Sequence, residues 1–172
     1  MDTMTEKQYE EAAAFWKKKD AEAVKMPEEK LRAWLEAFLK AHNTLALATA
    51  SSKGVRCTPL EYHWMQGKLV ILSEGGEKFL HLAENKNVSA AVFDPYQGFG
   101  KLASVQVQGT AEVTAITKDN AEAYQEWLGY PASVFSRLDH PMHLVRIQPE
   151  RFDVCCSAFK EMGVGTRQSL TV

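Results

Sequence analysis

A short loop, residues 73–78 (SEGGEK), has the composition of an anion-binding turn. It follows the apolar run KLVILS and precedes a helical pattern. Two consecutive glycines let backbone N–H groups converge, and a helix N-terminus adds partial positive charge. Ser73 offers a hydroxyl and Lys78 a full charge, so the loop is suited to a phosphate. An ordinary strand-to-helix loop with a surface lysine has the same composition, so the loop alone leaves both interpretations open.

A second candidate lies in the preceding predicted strand, which reads VRCTPLE. Strand alternation places Arg56, Thr58 and Leu60 on one face. Arginine binds phosphate through paired hydrogen bonds. Pro59 has no N–H for a strand ladder and therefore predicts an edge or a bulge, where backbone groups stay free for a flat polar ligand. The alternative is a surface arginine paired with a nearby acid.

A third candidate is Gln106, in the segment SVQVQG. Gln106, Gln108 and Thr110 share one face of a predicted strand. Gly109 within that strand predicts a bulge or a close approach of another group to the backbone. A polar face of this kind is also typical of a strand exposed to solvent.

The elements that must position these residues are mostly strands. Residues 5–24 predict a solvated helix and residues 26–42 an amphipathic helix with apolar residues at helical spacing. Six or seven strands with few helices predict an α+β, mainly β fold: an antiparallel barrel, closed or partly closed, with helices packed outside. The predicted strands cover residues 44–50, 55–65, 68–73, 88–93, 102–116, 143–147 and 151–157, and the later helices residues 77–86 and 118–128.

Composition excludes several function classes. The 172 residues, 45% hydrophobic and 24% charged, suit one globular domain. The net charge of −2 without a basic patch argues against a nucleic-acid partner. No apolar run approaches the ~20 residues that span a membrane, and the acidic, polar N-terminus predicts no secretory signal.

The cysteines and histidines predict neither a disulfide framework nor a metal site. Three cysteines are an odd count, and they suit a reducing, cytoplasmic location. Cys57 is expected to be a small buried strand residue. No pair of cysteines or histidines has the spacing of a metal site.

Taken together, the three motifs resemble the pyridoxamine 5′-phosphate oxidase-like family of FMN-binding split barrels. The resemblance covers residues 43–160, with 1–42 as a helical extension and 161–172 as a tail. It depends on the order of the motifs, which are Arg-x-Thr-Pro from Arg56, a strand ending at Ser73, Lys78 at a helix start, Asn87-Val88 opening a strand, and Gln-Val-x-Gly from Gln106.

The resemblance implies an antiparallel split β-barrel, a homodimer and FMN in the subunit interface. Arg56 and Lys78, helped by Ser73, would hold the FMN phosphate, and Gln106 would reach the cofactor from the partner strand or the partner subunit. The flavin edge would be lined through backbone groups of Thr58 and its neighbours Cys57, Pro59 and Leu60, and Leu72 would also contact the cofactor. The vitamin B6 oxidases end in an Arg-rich substrate-binding segment, whereas residues 162–172 contain only Arg167, which argues against B6 oxidase activity.

The resemblance leads to three hypotheses about function. The first is an FMN-dependent oxidoreductase that passes electrons or hydride from a donor such as a reduced nicotinamide to an unknown small-molecule substrate. The second is a non-enzymatic protein that stores or senses flavin or haem on the same barrel. The third is a generic barrel that binds an apolar ligand, with the arginine and the lysine merely on its surface.

Overall fold

The computed structural model describes residues 3–135 and 140–172. The chain begins with two helices, α1 (Glu6–Glu22) and α2 (Glu28–Ala41). Strands and short helices follow. They are β1 (Thr44–Ser51), β2 (Gly54–Glu61), β3 (His63–Met65), β4 (Lys68–Ser73), α3 (Lys78–Glu84), β5 (Asn87–Phe93), β6 (Ala103–Ile116), α4 (Gln125–Leu128), α5 (Ala132–Phe135), β7 (Met142–Cys156) and β8 (Arg167–Thr171).

The described strands form one antiparallel sheet in the order β2-β1-β5-β6-β7-β4-β3, with β8 paired to the far end of β7. The sheet curls so that β2 comes close to β4 without pairing to it. The barrel is therefore split along the β2–β4 gap, and helix α3 packs against β1 and β2 beside that gap. This confirms the α+β split barrel that the sequence predicts.

One face of the sheet builds the core. Along β1, the inward positions Leu45, Leu47 and Thr49 are buried, and alanines alternate with them on the outer face. Helix α2 contributes its apolar stripe to this core, as its spacing predicts. Tyr62 interrupts the strand predicted over residues 55–65: its buried hydroxyl donates to the Leu39 carbonyl at 2.8 Å, and burial raises its pKa to about 12.

The bulge predicted at Gly109 is confirmed, in the longest strand pairing of the sheet. The register between β6 and β7 shifts between Gln108 and Gly109, where Gly109 lies opposite Pro149. A Cβ built on Gly109 would lie 2.1 Å from the Gln148 carbonyl oxygen. The strand ladder is locally interrupted at a bulge, so Pro149, which has no N–H to donate, does not end the strand there. Residues 142–156 are therefore one strand, not the two that the sequence predicts.

Two other regions differ from expectation. The helix predicted over residues 118–128 is a 3₁₀ turn followed by the short α4, which ends at Gly129 with φ +67°. The polar tail contains an unpredicted strand, β8, which alternates exposed and buried residues against β7. A five-residue strand has too few alternations to be recognised without its partner.

Helix α1 lies outside the core. A capping box joins Thr5 and Gln8 at its N-terminus, yet none of its side chains is buried. The Arg167–Asp20 ion pair connects it to β8. None of the helices in the described ranges is long and apolar enough to cross a membrane.

Candidate functional site

The register between β1 and β2 places the side chain of Arg56 on the face of β2 that points toward the inside of the split barrel. Arg56, Thr58 and Leu60 pair with Thr49, Leu47 and Leu45 of β1, and cross-strand partners project to the same side of a sheet. The three β1 partners are buried. β2 is an edge strand, as Pro59 predicts, so its unpaired side faces the gap toward β4.

The glycine loop begins where β4 ends, on the other side of the gap. Gly75 and Gly76 have φ values of +153° and +104°, a backbone region that disfavours side chains. The Ser73 hydroxyl folds back onto the loop: it accepts from the Gly75 N–H at 3.3 Å and donates to the Gly75 carbonyl at 3.2 Å. The loop is thus held in a tight turn directly before α3.

Lys78 is buried beneath this turn, with 5% of its surface exposed, so the surface-lysine interpretation is wrong. Its ammonium donates to the Gly75 carbonyl and lies 4.9 Å from the centre of the Phe79 ring. Burial lowers the pKa of Lys78, and the nearby positive charge of Arg56 lowers it further. The two predicted cations therefore lie close enough to interact.

Arg56 forms an ion pair with Glu77, in keeping with the alternative of a surface arginine beside an acid. Both side chains remain accessible: 45% of the arginine and 69% of the glutamate side chain are exposed. Exposed pairs of this kind contribute little stability. The carboxylate of Glu77 is thus only weakly held at Arg56.

A cleft of about 610 Å³ opens next to the loop. Its lining includes Leu60, Leu72 and Ser73, which the sequence proposes as site residues, together with Glu74, Gly75, Gly76 and Met142. Thr58 lies on the same face of β2 as Leu60, and its buried hydroxyl has no hydrogen-bond partner among the described residues. We call this cleft with Arg56 and Lys78 the β2–β4 cradle.

The remaining predicted residues lie on the outer face of the sheet. Cys57 is exposed, which corrects the expectation that it is buried: the outer side of an edge strand has no layer covering it here. Pro59 is exposed on the same face. Their backbone atoms nevertheless belong to the open edge that borders the cradle.

Gln106 also projects from the outer face. Its neighbours Val105 and Val107 point inward and are buried, whereas Gln106 is exposed and pairs with Ala91 and Asp153. Within one chain the sheet therefore separates Gln106 from Arg56 and Lys78. The structure brings together the two cations, Thr58, Leu60, Leu72 and Ser73, but not Gln106.

Sequence reasoning did not assign a role to two residues that adjoin the cradle, His143 and Glu77. The ring of His143 packs on Phe79 with centroids 4.8 Å apart, and its Nδ1 lies 3.2 Å from the Ser73 carbonyl oxygen. The pairing of β4 with β7 places it there, and no local pattern signals that pairing. Glu77 was visible beside Lys78 in sequence, but its contact with Arg56 depends on the fold.

This donor set fits a phosphorylated planar group. Two cations, a serine hydroxyl and a glycine turn suit a phosphate. The unpartnered Thr58 hydroxyl and the apolar Leu60 and Leu72 suit a polar-edged ring. The described residues contain no group of three or more side chains that could hold a metal ion.

Comparison with solved structures supports the fold. A FAD-binding protein from Mesorhizobium loti is 22% identical with a TM-score of 0.55, over 70% of this chain and 89% of that one. A heme binding protein from Mycobacterium smegmatis is 22% identical with a TM-score of 0.56, over 79% and 56% of the two chains. Campylobacter jejuni ChuZ is 18% identical with a TM-score of 0.63, over 86% and 61%.

Because these identities are low, the likeness establishes a shared fold and nothing more. No curated protein matches the sequence. The family profile described as pyridoxamine 5′-phosphate oxidase, in contrast, matches residues 31–156, which include all of β1 to β7. The chain therefore belongs to the pyridoxamine 5′-phosphate oxidase family.

Proposed function

We propose that this protein binds FMN in the β2–β4 cradle and acts as an FMN-dependent oxidoreductase. The observation that carries the proposal is the approach of Arg56 and Lys78, from separate chain segments, to one glycine turn. An anion at this turn would meet a guanidinium fork and a buried ammonium, which are among the strongest phosphate donors in proteins. The name of the Mesorhizobium loti neighbour, a FAD-binding protein, supports a flavin as the ligand.

Each part of the cradle would have a separate role. Bound FMN would supply two-electron redox chemistry. Arg56 and Lys78 would bind the phosphate, and Ser73 would keep the turn in shape. Thr58 and the edge backbone of β2 would orient the polar rim of the ring, while Leu60 and Leu72 would exclude water from its face. A donor such as a reduced nicotinamide and a small-molecule acceptor complete the proposed reaction.

The proposal includes a homodimer. Because Gln106 lies on the opposite side of the sheet from Arg56, it can contact FMN in the cradle only from a second copy of the chain. We also propose a cytoplasmic location, supported by three cysteines that are all free.

A test begins with the absorption spectrum of the purified protein. We expect a flavin spectrum and release of FMN on denaturation. The double substitution Arg56→Ala, Lys78→Ala should weaken FMN binding by about a hundredfold or more, since it removes two hydrogen bonds to a charged group. Riboflavin, which lacks the phosphate, should lose far less affinity.

The matched control is Lys30→Ala, Arg32→Ala, which removes the same charges from exposed positions on α2. It should bind FMN normally. Protein that is colourless and takes up no added FMN would refute the proposal, and a haem spectrum would favour the haem-binding alternative. A bound flavin that no nicotinamide can reduce would favour storage or sensing over catalysis.

A further inference from the structure

A second charged cleft lies between helix α1 and strands β7 and β8, on the outer face of the sheet. It consists of two adjoining hollows of about 250 and 300 Å³ that share most of their lining. We call it the α1 cleft. Its charged lining consists of Lys17, Lys25, Arg151 and Arg167 with the carboxylates Asp20 and Asp153. Cations outnumber carboxylates here, although the whole chain has a net charge of −2.

The two carboxylates hold the guanidinium groups from one side. Arg167 uses only its Nε, which lies 3.1 and 3.0 Å from the two oxygens of Asp20, and its guanidinium stacks 5.0 Å from the centre of the Trp16 ring. Arg151 donates from Nε and Nη2 to Asp153, with a shortest distance of 2.6 Å. These contacts orient both guanidinium groups, although each pair, being accessible, is weak.

Several donors in the α1 cleft remain unused. Both Nη atoms of Arg167, Nη1 of Arg151 and the ammonium of Lys17 have no hydrogen-bond partner among the described residues. About half of each arginine side chain is exposed in the single chain, so these donors are accessible there. Preoriented guanidinium groups lose less entropy on binding an oxyanion than free ones.

We propose that the α1 cleft binds a small organic anion whose phosphate or carboxylate group accepts hydrogen bonds from Arg151, Arg167 and Lys17. Carboxylate pairing at accessible positions is weak, so Asp20 and Asp153 do not cancel the attraction for an anion. Helix α1 and strand β8, which contribute Lys17, Asp20 and Arg167, lie outside the matched residues 31–156, whereas Arg151 and Asp153 lie within them, so the cleft forms where this chain's extensions meet the family core.

The position of the α1 cleft suggests its use. Gln106 and Ser104 also line it. If Gln106 contacts the FMN of a second copy, the bound anion lies beside that flavin, where a substrate would react. This placement depends on the proposed function; the binding of the anion does not.

Calorimetric titration with inorganic phosphate and with succinate tests the proposal. The titrated protein carries Arg56→Gln and Lys78→Gln, so that the β2–β4 cradle does not compete for the anion. We expect saturable binding of at least one probe, and the tighter probe identifies the preferred group. Adding Lys17→Gln should weaken binding by about tenfold, as expected for one hydrogen bond between charged groups.

Lys18→Gln is the matched control, because Lys18 lies on the same helix and does not line the cleft. It should leave binding unchanged, whereas Arg151→Gln with Arg167→Gln should abolish it. Since Lys17 makes no ion pair with any described residue, its substitution decides the question even if the double arginine variant fails to fold. Equal affinities in all variants, or no saturable binding of either probe at millimolar concentrations, would overturn the inference. If the protein with Arg56→Gln and Lys78→Gln loses FMN binding but still binds the anion, anion binding in the α1 cleft is independent of the proposed function.

Discussion

At the scale of single residues, the cradle combines two cations with a carboxylate that competes for one of them. Lys78 is buried and Arg56 accessible, so they contribute differently. The buried ammonium provides a fixed charge close to the turn, whereas the accessible guanidinium can exchange Glu77 for a ligand. The affinity of the cradle for an anion is therefore expected to depend on Glu77 as well as on the cations.

Glu77→Gln is expected to tighten FMN binding about twofold to fivefold. The exposed ion pair with Arg56 is worth at most about 1 kcal/mol, and removing it frees the guanidinium for the phosphate. A fluorescence titration with FMN measures the change. Glu74→Gln serves as the control, because Glu74 lines the cleft without an ion pair to Arg56. Equal or weaker FMN binding by the Glu77 variant would contradict this role.

The lowered pKa of Lys78 predicts a pH dependence of FMN affinity. The FMN phosphate gains its second charge at a pH of about 6, so affinity should rise through that range. It should fall again as pH rises through the pKa of Lys78, which lies below the ordinary value of 10.5, because the neutral amine no longer attracts phosphate.

Binding titrations across pH measure both effects. Lys78→Arg should lose the alkaline decrease, since arginine stays charged. Riboflavin should show neither change. An alkaline decrease that persists for FMN in the arginine variant would assign it to another group.

At the scale of elements, a few backbone features create the site. The positive φ values of Gly75 and Gly76 turn the chain from β4 into α3, and the open edge of β2 borders the gap. The bulge at Gly109 lets β6 and β7 stay paired over their full length despite Pro149. That continuous pairing carries Arg151 and Asp153 to the outer face, where they build the α1 cleft.

Gly109→Ala is expected to lower the free energy of unfolding by about 2–3 kcal/mol, the usual cost of forcing an atom into packed structure. The added Cβ would meet backbone atoms of Gln148 and Pro149, which cannot move aside without breaking the pairing. Urea denaturation measures the loss. Gly100→Ala is the control, because its Cβ meets nothing within 4 Å, and it should change stability by less than about 0.5 kcal/mol. Equal stability of the two variants would show that the bulge relaxes freely.

At the scale of the whole molecule, the sheet separates the two halves of the proposed flavin site. Arg56 and Lys78 lie at the split, and Gln106 lies on the other face. A two-fold symmetric dimer would supply Gln106 of each copy to the cradle of the other, with two equal sites.

Mixed dimers test this arrangement. One subunit carries Arg56→Ala and Lys78→Ala, and the other carries Gln106→Ala. Their mixed dimer should regain about half of its sites at full FMN affinity, because one cradle then has both cations and a partner glutamine. Differently tagged subunits purified together allow the stoichiometry to be measured by absorbance. If the mixed dimers have no more sites of full FMN affinity than the two parent variants, the shared site is contradicted.

The sequence by itself determined most of the elements and the local chemistry. Short apolar runs predicted β1 and β4, the glycine pair predicted the turn after Ser73, and Pro59 predicted an edge or a bulge. Each of these depends on neighbouring residues alone. Composition and motif order together also indicated the family.

Only the tertiary structure decided which of these residues meet. Two contacts join segments that are far apart in sequence: the ion pair of Arg56 with Glu77 and the ring contact of His143 with Phe79. The burial of Lys78 depends on which groups cover it. The same holds for Gln106, which strand alternation placed on a face without saying which face is buried. A strand pattern fixes the two sides of a sheet, but the packing of α2, α3 and the opposite strands decides which side becomes the core.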